Sequence, residues 1–264
     1  MSRLALPIII LLAIAFAVAA AWYVVDRGFR VGGGTAGGEV TSEQRTLPPF
    51  TRLEVGGIAD ITLVQGEAES IRYETSGKGE RVKVEVREGT LHIDSPSSRG
   101  FFGFMLGGGS RSVRATITFR KLEKVDVSGA IKLRAEGWKA EKLAFTVSGE
   151  GSLHIEDLDV KELAIAVSGT VKAEIAGRAA EQRIAISGAG NYRAPELTSD
   201  NAKVAVSGAG KVLVNVAKTL KIAIAGAGTV EYIGDPKVTQ DISGVGRVRR
   251  REASRESFPA HAIA

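Results

Sequence analysis

A short motif, an aliphatic residue followed by Ser-Gly, returns through the second half of the chain and constrains the fold more than any other feature. It occurs at 127–129, 147–149, 167–169, 186–188, 206–208 and 242–244, with Ala in place of Ser at 224–226. The middle residues of successive motifs are 20, 20, 19, 20, 18 and 18 positions apart. A fixed period of this size predicts a solenoid, in which each repeat stacks on its neighbours.

Apolar residues alternate on both sides of each Ser-Gly motif, which we call a corner. Around Ser128 they include Val127 before the corner and Leu133 after it. Alternation with period two is typical of β-strands, so each turn is predicted to hold two strands that share one interior. The alternation fails at Gln240 and Arg250, in the last turn. A terminal repeat is expected to be more polar than the others, so the solenoid is predicted to end there.

The same pattern reaches back to Gly56, which has apolar residues at the same offsets and is interpreted as an early corner. The 72 residues between Gly56 and Ser128 must contain further strands. Alternation predicts strands at 71–75 and 112–119, and a hairpin of 82–86 with 90–94 joined through Glu88-Gly89. The predicted fold class is all-β: a right-handed β-helix-like solenoid with turns of about 18–20 residues, preceded by an N-terminal transmembrane or signal helix.

The N-terminal segment contains no charge from Leu4 to Val25. Its length is sufficient to cross a bilayer, and Trp22-Tyr23 sits where an interfacial aromatic pair would lie. Small residues at 17–21 also offer cleavage sites for a signal peptidase. Both an uncleaved signal-anchor and a cleaved signal remain open, and both predict an exported protein, periplasmic or at the cell surface, with residues 4–25 holding it to the inner membrane if they are retained.

Four regions follow from these patterns. Residues 1–27 are predicted to be the signal peptide or signal-anchor, and residues 28–49 a linker rich in Gly and Pro. Residues 50–252 are predicted to form the solenoid domain, and residues 253–264 a C-terminal tail.

Composition excludes several classes of chemistry. The chain has no cysteine, which removes disulfides, thiolate nucleophiles and cysteine zinc sites. The net charge of +5 is modest and aromatic residues are 6%, so nucleic-acid binding is not expected. His92, His154 and His261 lie far apart, and the repeated serines have no His or carboxylate partner at a repeated offset. We therefore expect no catalytic residues, no metal site and no cofactor.

Together with the corners, two segments resemble the bacterial family of putative auto-transporter adhesin head GIN domains. They are FTRLEVGGIADITLVQG at 50–66 and VKVEVREGTLHI at 82–93. The resemblance covers about residues 50 to 250. It implies an exported β-helix-like fold with no recognised catalytic residues.

Two sets of residues are candidates for contact with a partner. The first is an apolar loop that contains Phe101, Phe102, Phe104 and Met105, interpreted either as a plug for the open end of the solenoid or as a loop that binds a partner or touches a membrane. The second lies at the fourth position after each corner, where cations alternate with small polar residues: Lys132, Ser152, Lys172, Asn191, Lys211, Thr229 and Arg247. This alternation either separates like charges or forms a stripe that binds an acidic polymer.

The second position before each corner carries alanine in four successive turns, at Ala166, Ala185, Ala205 and Ala223. Alternation points these side chains outward, where a flat apolar strip is expected to be covered. Other parts of the chain could cover it, or a second copy in a homodimer.

The predicted function is that of a non-catalytic exported domain at the cell envelope, for adhesion, scaffolding or binding of an envelope polysaccharide or protein. The alternative is a carbohydrate-active β-helix enzyme, such as a polysaccharide lyase or hydrolase. Such an enzyme would require paired carboxylates in one groove.

Overall fold

The computed structural model describes residues 40–76, 82–94 and 113–252, and these residues form a single 15-stranded β-sheet that winds into a solenoid. The strands are β1 Val40–Thr46, β2 Arg52–Gln65, β3 Ser70–Ser76, β4 Lys83–Arg87, β5 Thr90–Asp94, β6 Val113–Phe119, β7 Lys124–Glu136, β8 Lys139–Val147, β9 Glu150–Val167, β10 Thr170–Ile186, β11 Ala189–Val206, β12 Ala209–Ile224, β13 Ala227–Ile233, β14 Lys237–Ile242 and β15 Arg247–Arg250. The predicted all-β solenoid is confirmed.

Corners stack in register along the solenoid. Gly56 pairs with Ser128, so the early corner predicted from the sequence is real. Beyond it, β7 and β9 to β13 pair in parallel, and each lies about 4.8 Å from the next. Residues at one offset from the corner therefore form straight columns along the solenoid, which decides which side chains can act together.

The interior contains the apolar positions that alternation identified. Val127, Leu133 and their equivalents as far as Ile224 and Val230 are buried and belong to one continuous core. Branched Val and Ile fill a pleated interior well, because their stiff side chains match the extended backbone. In the last turn Gln240 and Arg250 are exposed, as the polar terminal repeat requires.

Glycine is needed at the corners because successive turns approach each other there through their backbones. A Cβ on Gly169 would overlap the carbonyl oxygen of Gly149, and the same relation links Gly149 to Gly129. The serines beside these glycines use their hydroxyls in the stacking as well. The hydroxyls of Ser148 and Ser187 each donate 3.1 Å hydrogen bonds to backbone carbonyls of the preceding turn.

The N-terminal strands extend one side of the sheet. β6 pairs in parallel with the second half of β2, and β3 and β1 follow it in antiparallel order. β5 pairs with the first half of β2, and β4 completes the predicted hairpin. β1 lies within residues 28–49, which the sequence assigned to a linker. Within the described residues the sheet begins at Val40, because the polar β1 segment pairs with β3.

Several predicted features lie outside the described residues: the membrane segment 4–25, the apolar loop with Phe101, Phe102, Phe104 and Met105, and the tail 253–264. Within the described part of the chain, no helix is long and apolar enough to cross a bilayer.

Candidate functional site

The predicted cationic residues form a straight column on the outside of the sheet. Strand pairing places Lys132, Ser152, Lys172, Asn191, Lys211, Thr229 and Arg247 side by side. Four of the seven are cations, and they occur on every second strand, so neighbouring charges are roughly 10 Å apart and the column spans roughly 30 Å. Between its two ends the column contains no acidic residue.

The ion pairs of this column differ from one lysine to the next. The ammonium of Lys172 lies 3.4 Å from the Glu174 carboxylate, two positions along the same strand. Lys132 and Arg247 form no ion pair with a described residue. Lys211 lies close enough to Glu231 to influence its ionisation. Two of the four cations are therefore free to meet a ligand without first breaking an ion pair inside the described chain.

Glu231 lies beside the C-terminal end of the column and is 0% exposed, although alternation points it outward. Arg249 donates to it from Nε at 2.7 Å and again from its terminal nitrogen, and Arg251 lies 3.7 Å away. Burial alone would raise the pKa of Glu231, but the hydrogen bonds from Arg249 and the charges of Lys211, Arg249 and Arg251 hold it below its ordinary value. The carboxylate is therefore ionised and fixes both guanidinium groups.

No described residue covers the alanine strip. Ala166, Ala185 and Ala223 are exposed, and the strip lies in a shallow groove of about 320 Å³ that Thr146 and Asp241 close at its ends. The strands before Leu122 were one candidate for a cover, but they extend the same sheet and do not lie over the strip. Pairing of two copies through it remains a prediction.

A second row of cations borders this strip, and the sequence reading missed it. Arg183, Lys203 and Lys221 lie on three adjacent strands, two positions from the alanines. Arg183 pairs with Glu162 and Glu181, at 3.0 and 2.8 Å. No described residue pairs with either lysine. In the sequence these three cations stand at the fourth position before their corners. Only the strand register shows that they lie side by side in one column.

The hairpin of β4 and β5 creates a polar groove of about 580 Å³ with four carboxylates, those of Glu54, Glu85, Asp94 and Asp126. Glu54 and Asp126 lie on neighbouring strands. The imidazole of His92 lies 2.9 Å from the carboxylate of Glu54, and Lys124 lies 2.7 Å from Asp126. The sequence reading missed this groove because Glu85, His92 and Asp94 lie outside the regular repeat.

A general acid for glycoside hydrolysis is a carboxyl held in an apolar pocket, opposite a second carboxylate. The four carboxyls of the hairpin groove line a polar, open surface, and three of them contact a neighbouring basic group. Within residues 40–76, 82–94 and 113–252, no cluster of three or more His, Asp or Glu side chains could hold a metal ion.

Residues 49–236 match the family described as "Putative auto-transporter adhesin, head GIN domain". The chain belongs to this family. Membership confirms the resemblance seen in the sequence and indicates an adhesion-like domain of an exported or surface protein. A comparison with curated protein sequences found no match.

Solved structures share the fold. A putative adhesin from Bacteroides fragilis is similar at 20% identity with a TM-score of 0.73, over 81% of this chain and 97% of that chain. A structure named putative lipid binding protein, from Parabacteroides distasonis, has 18% identity and a TM-score of 0.61, over 81% and 98%. A putative adhesin from Parabacteroides merdae has 18% identity and a TM-score of 0.56, over 81% and 97%. At these identities the similarity establishes the fold.

Proposed function

We propose that this head GIN domain is a non-catalytic binding module of the cell envelope, and that it binds an acidic envelope polysaccharide along the cationic column. The column of Lys132, Lys172, Lys211 and Arg247 carries the proposal, because one straight, exposed line of four cations spans roughly 30 Å without an intervening carboxylate. Its length suits an extended polymer better than a small ligand. Residues 4–25 would hold the domain at the inner membrane.

Spacing of the cations supports a polymer ligand. Successive cations are roughly 10 Å apart, so a polymer with a carboxylate or phosphate on alternate units could pair with each of them in turn. The small polar residues between them, Ser152, Asn191 and Thr229, leave room for the polymer, and Ser152 and Thr229 offer hydroxyls for hydrogen bonds to sugar hydroxyls. Each contact is weak, and several made at once give useful affinity.

A direct test compares binding of the full chain to an acidic polysaccharide and to a neutral one of equal length. Lys172→Gln with Lys211→Gln removes two charges of the column. Lys203→Gln with Lys221→Gln removes two charges from the row beside the alanine strip, over the same part of the solenoid. We expect the first pair to weaken acidic-polymer binding by roughly a hundredfold, because each of the two charge-assisted contacts contributes about 1.5 kcal/mol and about 1.4 kcal/mol is a factor of ten.

The second pair is the matched control and should retain the affinity of the unmodified chain. If the second pair loses binding and the first pair retains it, the ligand lies over the alanine strip and the column assignment is wrong. If acidic and neutral polymers bind equally well, the electrostatic basis of the proposal fails. Unfolding midpoints of both variants would confirm that neither change alters the fold.

A further inference from the structure

The last turn of the solenoid exposes two aliphatic side chains. Val245 is 86% exposed and Ile242 is 37% exposed. Ile242 occupies the first position before its corner, where Ile224 and Ile186 are both buried. Its exposure arises because β14 and β15 are the last of the described strands, so no other described strand packs on them. Among the described residues, this end of the solenoid therefore carries an uncovered aliphatic surface.

Arginines surround this aliphatic surface. The residues at the outward positions of the terminal turn are Val245, Arg247, Arg249 and Arg251. Arg249 and Arg251 share the single charge of the buried Glu231, and Arg250 pairs with Asp235 at 3.1 Å. Arg247 has no ionic partner among the described residues. The outward face after the corner therefore carries three arginines against one carboxylate beside an exposed valine, while Asp241, next to Ile242, and Glu252 add two negative charges to the same turn.

Charged residues on an edge strand also prevent edge-to-edge aggregation, and a polar last turn caps a solenoid. Both roles explain the arginines and leave the exposed valine unexplained. A soluble acidic polymer would likewise use the arginines alone. A two-fold contact with a second copy would bring the two arginine rows together, and the tail 253–264 contains one Arg and one Glu, so it brings no net charge of opposite sign.

We propose that the terminal turn docks on an anionic lipid surface, with Val245 and Ile242 in contact with the acyl boundary and the surrounding arginines on the lipid phosphates. Interfacial proteins combine an apolar contact with basic residues in this way, because neither alone gives firm binding. This inference shares Arg247 with the polysaccharide proposal, but it does not use the lysines of the column, and Val245→Asp tests it separately.

The place of the terminal turn in the fold determines which membrane it could reach. β1 and β15 lie at opposite ends of the strand order, roughly 50 Å apart at one strand spacing per step. A chain anchored through residues that precede β1 would hold the terminal turn away from its own membrane. The terminal turn would then bind a second membrane or a vesicle, so the experiment presents it with separate vesicles.

The full chain is inserted in phosphatidylcholine nanodiscs and mixed with sedimentable vesicles, either of phosphatidylcholine alone or of phosphatidylcholine and phosphatidylglycerol in equal parts. We expect co-sedimentation with the anionic vesicles only. Arg247→Gln should weaken it about fivefold, the effect of one basic residue at an anionic surface. Val245→Asp should weaken it at least as much. The controls are Lys203→Gln, an unpaired cation outside the column, and Val64→Asp, an exposed valine of β2 at 42%; both should bind like the unmodified chain.

Four results would overturn the proposal. Equal co-sedimentation of Val245→Asp and Val64→Asp would show that the terminal turn is not in contact with lipid. If the chain binds soluble polyphosphate but not vesicles, and Val245→Asp does not change that binding, the ligand is a soluble anion. A dimer lost on Val245→Asp, without vesicle binding, would identify a second copy as the occupant. Vesicle binding that appears only after deletion of residues 253–264 would identify the tail as the natural cover.

Discussion

The hydroxyl of Tyr192 donates a 2.9 Å hydrogen bond to the side-chain carbonyl of Gln182 inside the solenoid. The amide of Gln182 donates in turn to Ser199 Oγ at 2.9 Å, and the Ser199 hydroxyl donates to the backbone carbonyl of Asn215 at 2.7 Å. All three polar side chains are buried. Burial raises the pKa of Tyr192 far above its ordinary value, so the phenol stays a donor at every pH at which the protein is folded.

Tyr192→Phe should destabilise the protein by about 1–3 kcal/mol, because it leaves a buried amide oxygen without a donor. Adding Gln182→Leu should recover part of the loss. It removes the amide oxygen that has lost its donor and places at position 182 the same residue type that β9 carries at the paired position, Leu163. Urea unfolding of the two variants and the unmodified chain measures both effects. A double variant less stable than Tyr192→Phe would contradict this account.

Much of the fold was predictable from the corners, because a period of 18–20 residues and alternation of period two leave few alternatives. Tyr192 was placed in the interior in this way. Gln182 was not recognised as buried, although it stands in register with Leu163. A single polar residue in an apolar column can be interpreted as a break in the pattern. Burial of Gln182 is favourable only because Tyr192 and Ser199 form hydrogen bonds with its side chain.

The interaction surfaces were only partly predictable. Lys132, Lys172 and Lys211 could be assigned to one column because their offsets repeat within one strand. The hairpin groove could not be predicted, since Glu85 and His92 are brought to Glu54 by pairing between β4, β5 and β2, across an irregular part of the chain. Edge pairing of β1 was also missed, because its polar sequence carries no alternating apolar signal.

Gly169→Ala should destabilise the solenoid severely, by about 3 kcal/mol or more, because the added methyl group would overlap the backbone of Gly149 in the preceding turn. Backbone cannot move aside as a flexible side chain can. Ser168→Ala, at the neighbouring exposed position, should change stability by less than about 0.5 kcal/mol. Thermal unfolding followed by circular dichroism distinguishes the two. Similar midpoints for both variants would mean that the corner tolerates a Cβ.

Glu231 should make stability depend on pH in the acidic range. Its folded pKa lies below the unfolded value of about 4.3, so its contribution is complete above that value and is lost as the pH falls through the folded pKa. The free energy of unfolding should therefore decrease from about pH 5 to about pH 3. Glu231→Gln should lower stability at neutral pH and flatten this decrease.

Part of the decrease should persist in Glu231→Gln, because hydrogen bonds from Arg120 also hold the pKa of Glu69 below its ordinary value. Glu141→Gln is the control, since Glu141 is exposed and forms only a surface ion pair with Lys161. Urea titrations at a series of pH values measure the slope. An identical slope for Glu231→Gln and Glu141→Gln would show that the Arg249 contact does not stabilise the folded state.

Acidic polysaccharides should be bound without being cleaved. The carboxylates of the hairpin groove lie on an open polar surface, where Glu54 contacts His92 and Asp126 contacts Lys124. Glycoside hydrolysis needs a protonated carboxyl to donate to the leaving oxygen, and an apolar pocket to keep it protonated near neutral pH. Prolonged incubation with the polymer that binds best, followed by assays for new reducing ends and for unsaturated products, tests this. Cleavage that Glu54→Gln or Asp126→Asn abolishes would make the groove an active site, whereas cleavage that both variants retain would point to a contaminating enzyme.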